Sequence, residues 1–83
     1  MAPNEIREDR RMKGRVVRLN NGFGFIEGED GKDYFFHFSE LSKFSKHFRN
    51  LDVGDNVDFQ VGRSDRGPRA YDIVTIEGNA APN

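Results

Sequence analysis

The 83-residue chain lacks cysteine, which excludes disulfides, thiol chemistry and zinc sites built on thiolates. It also lacks long apolar runs: hydrophobic residues make up 35% of the chain, the mean hydropathy is -0.80, and no stretch is suited to span a bilayer or to serve as an apolar signal core. Excess charge is absent as well, because the formal net charge is -1. A nearly neutral chain does not hold a polyanion by its overall field. We therefore expect one small cytoplasmic domain with no membrane partner.

Groups that could carry catalysis are few. His37 and His47 are the only histidines, and two imidazoles without cysteine need converging carboxylates to hold a metal. The carboxylates fall instead in turn-like stretches such as 27–33 and on polar strand faces, where nothing holds two of them in an apolar pocket. No nucleophile motif or phosphate-binding loop is present. We predict that the protein is not an enzyme and uses no metal, cofactor or small-molecule substrate.

The chain does have aromatic residues, concentrated in one stretch that reads NGFGFIEGEDGKDYFFHF and begins at Asn21. Because side chains alternate between the two faces of a strand, Phe23 and Phe25 share one face of its first run. In its second run Phe35 and His37 share a face in the same way. A polar segment with two glycines separates the runs, so the stretch predicts a hairpin of two antiparallel strands.

Large rings occupy both faces of the second run, where Tyr34, Phe36 and Phe38 alternate with Phe35 and His37. Both faces cannot lie in one core, so rings are left exposed on one of them. Exposed apolar patches mark binding surfaces, and flat rings suit nucleic-acid bases, whose stacking contributes ~1–3 kcal/mol per base. The simpler alternative is a half-buried hairpin packed under another element. Two aromatic pairs aligned across the hairpin favour the binding surface.

The same two runs are the motifs by which the chain resembles the cold-shock domain family. NGFGFI, at Asn21 to Ile26, is similar to the family's first ribonucleoprotein motif, KGFGFI, and YFFHF, at Tyr34 to Phe38, is similar to the second, VFVHF in many members. The runs GRVV, HFSEL, VGDNVDF and RGPRA follow the family's pattern in order. The resemblance covers residues 12–77. It implies an all-β fold, a small five-stranded antiparallel Greek-key barrel of the OB class.

The resemblance also implies a function, the binding of single-stranded RNA or DNA with low sequence specificity. As a family member the protein would be a monomeric RNA chaperone that melts local structure, with a role in transcription regulation. Bases would stack on aromatic side chains, namely Phe23, Phe25, Phe35, His37, Phe38 and Phe48. Cations would contact the backbone, namely Lys13, Arg15, Arg18, Lys43, Lys46 and Arg66.

Three residues depart from the family pattern, and the missing tryptophan, together with the acidic balance and the longer aromatic loop, leaves a second function open. Arg18 stands where the family commonly has a stacking tryptophan, Leu19 where it has phenylalanine, and Asn21 where it has lysine in a longer turn. Arg18 either stacks and pairs with phosphate through its guanidinium or is an ordinary solvated arginine. The alternative function is an OB-fold interaction module that docks a protein partner, or a folded or ribosomal RNA, through the same face.

The remaining residues complete the predicted domain. Residues 1–11 carry mixed charges without apolar periodicity and predict a mobile tail, and 78–83 predict a second one. A first strand from Met12 ends at an Asn-Gly turn. Ser39 is predicted to cap a short helical turn. Leu41 is predicted to plug the barrel, and Lys43–Leu51 is predicted to form a long loop, in which Phe44 has no counterpart in the family. Arginines cluster again late in the chain, at Arg63, Arg66 and Arg69. The predicted core residues are Val57, Phe59, Val61, Ala70 and Ile73.

Overall fold

The computed structural model describes residues 5–41 and 51–76, which form a closed barrel of five strands. The strands are β1 (Ile6–Leu19), β2 (Phe23–Gly28), β3 (Asp33–His37), β4 (Asn56–Ser64) and β5 (Gly67–Thr75), and a 3-10 turn at Phe38–Glu40 follows β3. Around the barrel their order is β1-β2-β3-β5-β4, with β4 paired back onto β1. The predicted all-β, five-stranded barrel is confirmed.

The barrel closes through one parallel pair. Strands β1 and β2, β2 and β3, β1 and β4, and β4 and β5 are antiparallel, whereas β3 and β5 run parallel and meet at Phe35 and Arg69. Hairpin signals in the sequence predict only antiparallel pairing, because they concern strands that are neighbours in the chain. This parallel pair sets which residue of β5 lies beside the aromatic stretch.

Alternation along β2 decides what faces the core and what faces solvent. Gly24 and Ile26 point inward and are buried, while Phe23 and Phe25 point outward and are partly exposed. A glycine is required between the two phenylalanines because a Cβ at position 24 would come within 2.8 Å of the buried Phe36 ring. The GFGF motif therefore places two rings outside the barrel and leaves room for a third inside it.

The core fills the barrel interior with aliphatic and aromatic side chains. Its buried members are Met12, Val16, Ile26, Tyr34, Phe36, Val57, Phe59, Val61, Ala70 and Ile73. The core residues predicted on β4 and β5 are thus confirmed. Leu41 packs against this core and forms a bridge with Ile73, and Leu51 also packs against it. Burying each of the larger side chains contributes ~1.5–3 kcal/mol, which is a large share of a small domain's stability.

The first strand begins at Ile6, so the predicted tail is wrong for residues 6–11. This segment pairs with β4, with Ile6 opposite Arg63 and Arg7 opposite Gly62, and a bulge follows before Arg11. It is held by backbone pairing on the barrel surface rather than by an apolar face, so its mixed charges gave no strand periodicity. The predicted tail at 78–83 lies outside the described residues.

Arg11 joins the extended part of β1 to two other strands. Its guanidinium donates to the carboxylate and the carbonyl of Asp58 on β4, and to the carboxylate (3.1 Å) and the carbonyl (2.7 Å) of Asp72 on β5. Asp72 has a positive φ of 49°, a left-handed conformation that aspartate tolerates better than most residues. The hydrogen bonds of this one side chain thereby connect β1, β4 and β5.

The 3-10 turn after β3 is capped by His37, so the predicted cap at Ser39 is wrong. The backbone N–H of Ser39 donates to His37 Nδ1 at 3.1 Å, because the imidazole reaches the free amide of the first turn. The predicted loop from Lys43, including Phe44, lies outside the described residues, except for Leu51. Within the two described ranges, no helix has the length and apolar character needed to cross a membrane.

Candidate nucleic-acid interface

Three phenylalanine rings form one cluster on the outer face of β2 and β3, here called the ring cluster: Phe23, Phe25 and Phe35. The ring centroids of Phe23 and Phe35 are 5.6 Å apart, those of Phe25 and Phe35 are 5.8 Å apart, and those of Phe23 and Phe25 are 6.3 Å apart. Phe25 is nearly perpendicular to the other two rings, and all three are partly exposed. These edge-to-face contacts hold the rings in place while part of each faces solvent.

The register across the barrel places arginine on both sides of these rings. Arg18 on β1 is the Cα partner of Phe25, Phe25 is the partner of Phe35, and Phe35 is the partner of Arg69 on β5. We call this line of four residues the ring row. Because directly paired residues project from the same face of a sheet, two cations flank two rings within one row. This arrangement suits a ligand that is both aromatic and anionic.

His37 and Phe38 lie at the end of the ring cluster that is nearest the turn between β1 and β2. His37 is exposed and is the Cα partner of Phe23. The imidazole Nδ1 accepts the hydrogen bond from the backbone N–H of Ser39, and this contact orients the ring. Phe38 is 37% exposed, and its ring stacks on the core ring of Phe36 at 5.9 Å and 11°. Its backbone N–H donates to the carbonyl of Gly22 at 3.0 Å.

The predicted backbone-contacting cations are distributed unevenly around this face. Arg18 lies in the ring row, whereas Arg15 lies beside Glu27, with their charged groups 3.8 Å apart. Lys13 is exposed on β1 opposite Asp58. Arg66 is exposed in the turn before β5, where its N–H donates to Ser64 Oγ. The strand register therefore places Arg18 in line with the rings. The predicted contacts Phe48, Lys43 and Lys46 lie outside the described residues.

Arg69 and Tyr71 also lie beside these rings, although neither is among the site residues predicted from the sequence. The guanidinium carbon of Arg69 lies 5.3 Å from the ring centroid of Phe35 and 5.4 Å from that of Tyr71. Arg7 covers the other part of the Tyr71 ring at 4.3 Å, which leaves Tyr71 fully buried. The signal available in sequence was the late cluster of arginines, but only the parallel pairing of β3 with β5 identifies which arginine meets the rings.

The perturbed tyrosines near this face are structural groups. Burial raises the pKa of Tyr34 to about 12, and its hydrogen bond to Asp30 at 2.7 Å acts in the same direction. Burial likewise raises the pKa of Tyr71 above its usual value. Desolvation opposes ionisation of Asp30, but hydrogen bonds from Tyr34 and from the backbone of Lys32 outweigh it and lower the pKa of Asp30. Both tyrosines are thus neutral at physiological pH and contribute no charge.

Comparison with known proteins agrees with this geometry. A family model described as the 'Cold-shock' DNA-binding domain matches residues 12–76. Cold shock-like protein CspC of Bacillus cereus is 42% identical over 67 residues, which is 78% of this chain and 100% of that protein. Cold shock protein 1 of Lactiplantibacillus plantarum is 44% identical over 66 residues, covering 76% of this chain and 97% of the relative.

A solved structure shares the fold. Drosophila Unr CSD456 superposes with a TM-score of 0.70 at 31% identity, covering 88% of this chain and 29% of that one. The chain thus spans less than a third of the Drosophila structure, whereas it spans almost the whole of the bacterial relatives. The matched region contains all of the ring row. The chain therefore belongs to the cold-shock domain family of nucleic-acid-binding proteins.

Proposed function

We propose that the protein, as a monomer, binds single-stranded RNA or DNA with low sequence specificity by stacking unpaired bases on the ring cluster. The observation that carries this proposal is the set of three partly exposed rings beside His37 on one face of the barrel. Every base has a π-face, and stacking one base on an aromatic side chain contributes ~1–3 kcal/mol. Contacts of this kind depend little on base identity.

The spacing of the rings favours single strands over duplexes. The ring centroids are 5.6 to 6.3 Å apart, and the rings are inclined to one another by 35° to 79°. Successive bases in a duplex strand are about 3.4 Å apart. Bases that lie on these rings therefore cannot remain stacked on one another. Binding to the ring cluster requires bases that are already unpaired and unstacked.

Arginine in the ring row supplies the second part of the interaction. Arg18 neighbours Phe25, and its guanidinium can pair with a phosphate while its plane stacks on a base. In this proposal His37 and Phe38 extend the stacking surface, and Lys13, Arg15 and Arg66 contact phosphates at its margins. Binding then has a salt-dependent part from the cations and a salt-insensitive part from the rings.

From this binding mode we infer that the protein is an RNA chaperone that needs no nucleotide energy. A protein that binds only the open strand shifts a hairpin equilibrium by its differential affinity for the open form, and by no more. A few stacked bases provide enough differential affinity to open marginal hairpins. They do not provide enough to open long duplexes, whose many base pairs exceed what a few rings contribute.

The test is a fluorescence-anisotropy titration with labelled heptamers of dT and U at two salt concentrations, beside a labelled duplex of the same length. We expect both single strands to bind, more weakly at the higher salt, and the duplex to bind much less. A dye-quencher hairpin of low stability should open as the protein is added, whereas a long duplex should not.

Two results would overturn the proposal. Equal affinity for the duplex would mean that charge rather than stacking drives binding. The absence of binding to either heptamer at low salt would favour an interaction module that uses the same face for a protein or a folded RNA. The departures at Arg18 and Asn21 from the family pattern make this second outcome worth testing, by affinity capture with the Phe35→Ala variant as the control.

A further inference from the structure

The environment of Arg69 differs from that of Arg18 at the other end of the ring row. The Arg69 side chain is only 20% exposed, lying between the rings of Phe35 and Tyr71. Its Nε is buried and has no hydrogen-bond partner among residues 5–41 and 51–76. Its terminal NH1 meets Glu5 Oε2 at 3.2 Å. The guanidinium is therefore fixed against the ring cluster and carries a carboxylate at its outer end.

Glu5 reaches Arg69 because the beginning of β1 is laid across the barrel surface. Arg7, two residues later, is paired with Gly62, and Gly62 is paired in turn with Arg69. A Cβ on Gly62 would overlap the Tyr71 ring, so a residue without a side chain is what allows this ring and the β1 segment to pack together. The chain thus delivers a carboxylate to the edge of the nucleic-acid interface.

A carboxylate and a phosphate compete for the same guanidinium, since both are oxyanions that accept hydrogen bonds from its terminal nitrogens. A base stacked on Phe35 brings its phosphate to the edge of that ring, where Arg69 lies 5.3 Å from the ring centroid. Glu5 is 35% exposed and its ion pair with Arg69 reaches solvent, so the contact can be exchanged.

We propose that Arg69 is a phosphate-binding residue of the interface and that Glu5 occupies, in the free protein, the position that a backbone phosphate takes in the complex. The proposal rests on the function proposed above. Binding then proceeds by ion exchange, in which the nucleic acid displaces the carboxylate from Arg69. Glu5 lowers the affinity for single strands because its contact must be broken first, and it restricts the Arg69 site to ligands that bring an anion.

The experiment compares four variants in the heptamer titration at low and high salt: Glu5→Gln, Glu8→Gln, Arg69→Gln and the double variant of positions 5 and 69. Glu8→Gln is the matched control, because Glu8 lies on the same segment and changes the net charge equally but pairs with Arg10 at 2.9 Å instead. Denaturant unfolding of each variant shows whether the fold is retained.

We expect Glu5→Gln to tighten binding by about two- to five-fold at low salt, the strength of one exposed ion pair, and Glu8→Gln to have a smaller effect. Arg69→Gln should weaken binding and reduce the slope of log affinity against log salt by about 0.7, the value for one phosphate of a single strand. In the Arg69→Gln background the second substitution at Glu5 should change the affinity by no more than Glu8→Gln does, because the residue for which Glu5 and the phosphate compete is already gone.

The results separate this inference from the proposed function. If the parent protein binds and Phe35→Ala weakens binding, but Glu5→Gln equals Glu8→Gln or keeps its effect without Arg69, the exchange is refuted and the stacking function stands. A loss of affinity in Glu5→Gln also refutes it, because Glu5 would then be a positioning residue for Arg69. If the parent protein binds neither heptamer, both proposals fail together.

Discussion

Phe35 and Phe36 are neighbours on β3 whose side chains point to opposite faces, so alanine substitutions at the two positions should have opposite consequences. Phe36 is fully buried in the core, whereas Phe35 is partly exposed in the ring cluster. Removing a buried phenylalanine costs about 3–5 kcal/mol. Against a total stability of about 5–15 kcal/mol for a natural domain, Phe36→Ala should therefore remove a large share of the free energy of unfolding, and it should unfold the protein if the parent stability lies at the low end of that range.

Phe35→Ala should instead leave the fold and weaken binding. The loss of one stacked base is worth ~1–3 kcal/mol, or about 5- to 150-fold in the dissociation constant. Some stability is also lost, because Phe35 contacts two other rings and the guanidinium of Arg69. Aromatic pairs contribute about 0.5–1.5 kcal/mol each beyond their buried area, so the loss of two pairs is expected to cost about 1–3 kcal/mol.

The assay combines urea unfolding with anisotropy titration of the labelled heptamers for both variants and for Phe35→Leu. Leucine keeps apolar bulk at position 35 but has no π-face, so Phe35→Leu should recover stability without recovering affinity. The reasoning is refuted if Phe35→Ala destabilises the protein as much as Phe36→Ala, since Phe35 would then be a core residue. It is also refuted if Phe35→Leu binds as tightly as the parent protein.

Three further predictions concern stability and charge. The pKa of Tyr34 is about 12 in the folded protein and about 10 in the unfolded chain. The contribution of this raised pKa to the free energy of unfolding is therefore complete below pH 10 and is lost as the pH rises to 12. Tyr34→Phe should reduce the loss of unfolding free energy between pH 10 and pH 12 by about 2 kcal/mol, measured by urea unfolding across that range. An unchanged decline would contradict this assignment. Arg11→Ala removes the hydrogen bonds that connect β1 to β4 and β5, and it should lower the free energy of unfolding by about 1–2 kcal/mol without altering heptamer affinity. A loss below about 0.5 kcal/mol would show that these hydrogen bonds contribute little to stability. Arg18→Ala should reduce the salt slope of heptamer binding by about 0.7 with stability unchanged, whereas an unaltered slope would mark Arg18 as a solvated residue.

The sequence predicted the buried or exposed face of a side chain correctly where the alternation along a single strand determines it. The parity of Phe23 and Phe25 separates them from Ile26 without any knowledge of neighbouring strands, and the structure agrees. The same holds on β3, where Tyr34 and Phe36 are the buried members of the alternation. Period-two patterns predict which face a residue occupies because that depends only on local backbone geometry.

The sequence did not predict features that depend on pairing between strands that are far apart in the chain. Residues 6–11 form a strand through backbone pairing with β4, and such pairing leaves no apolar pattern in a segment whose side chains are mostly exposed. The position of Arg69 beside Phe35 depends on a parallel pairing between strands separated by β4 in the chain. Hairpin and turn signals carry no information about such a closure.

Local arrangement also explains how a chain of net charge -1 can present a surface for a polyanion. In the ring row the residues paired with the two phenylalanines are Arg18 and Arg69, and no carboxylate is in register with them on β1, β2, β3 or β5. The next outward-facing row of β1, β2 and β3 contains Arg15, Glu27 and Asp33, so its charge is net negative. A nucleic-acid strand that lies along the rings is close to cations. A nucleic-acid strand displaced toward the row of Arg15, Glu27 and Asp33 comes close to carboxylates, within the roughly 8–10 Å over which exposed charges act at physiological salt. In the proposed binding mode, the carboxylates of Glu27 and Asp33 thus oppose displacement of the ligand in that direction. Charge complementarity would then operate at the scale of single rows of the sheet rather than of the whole molecule.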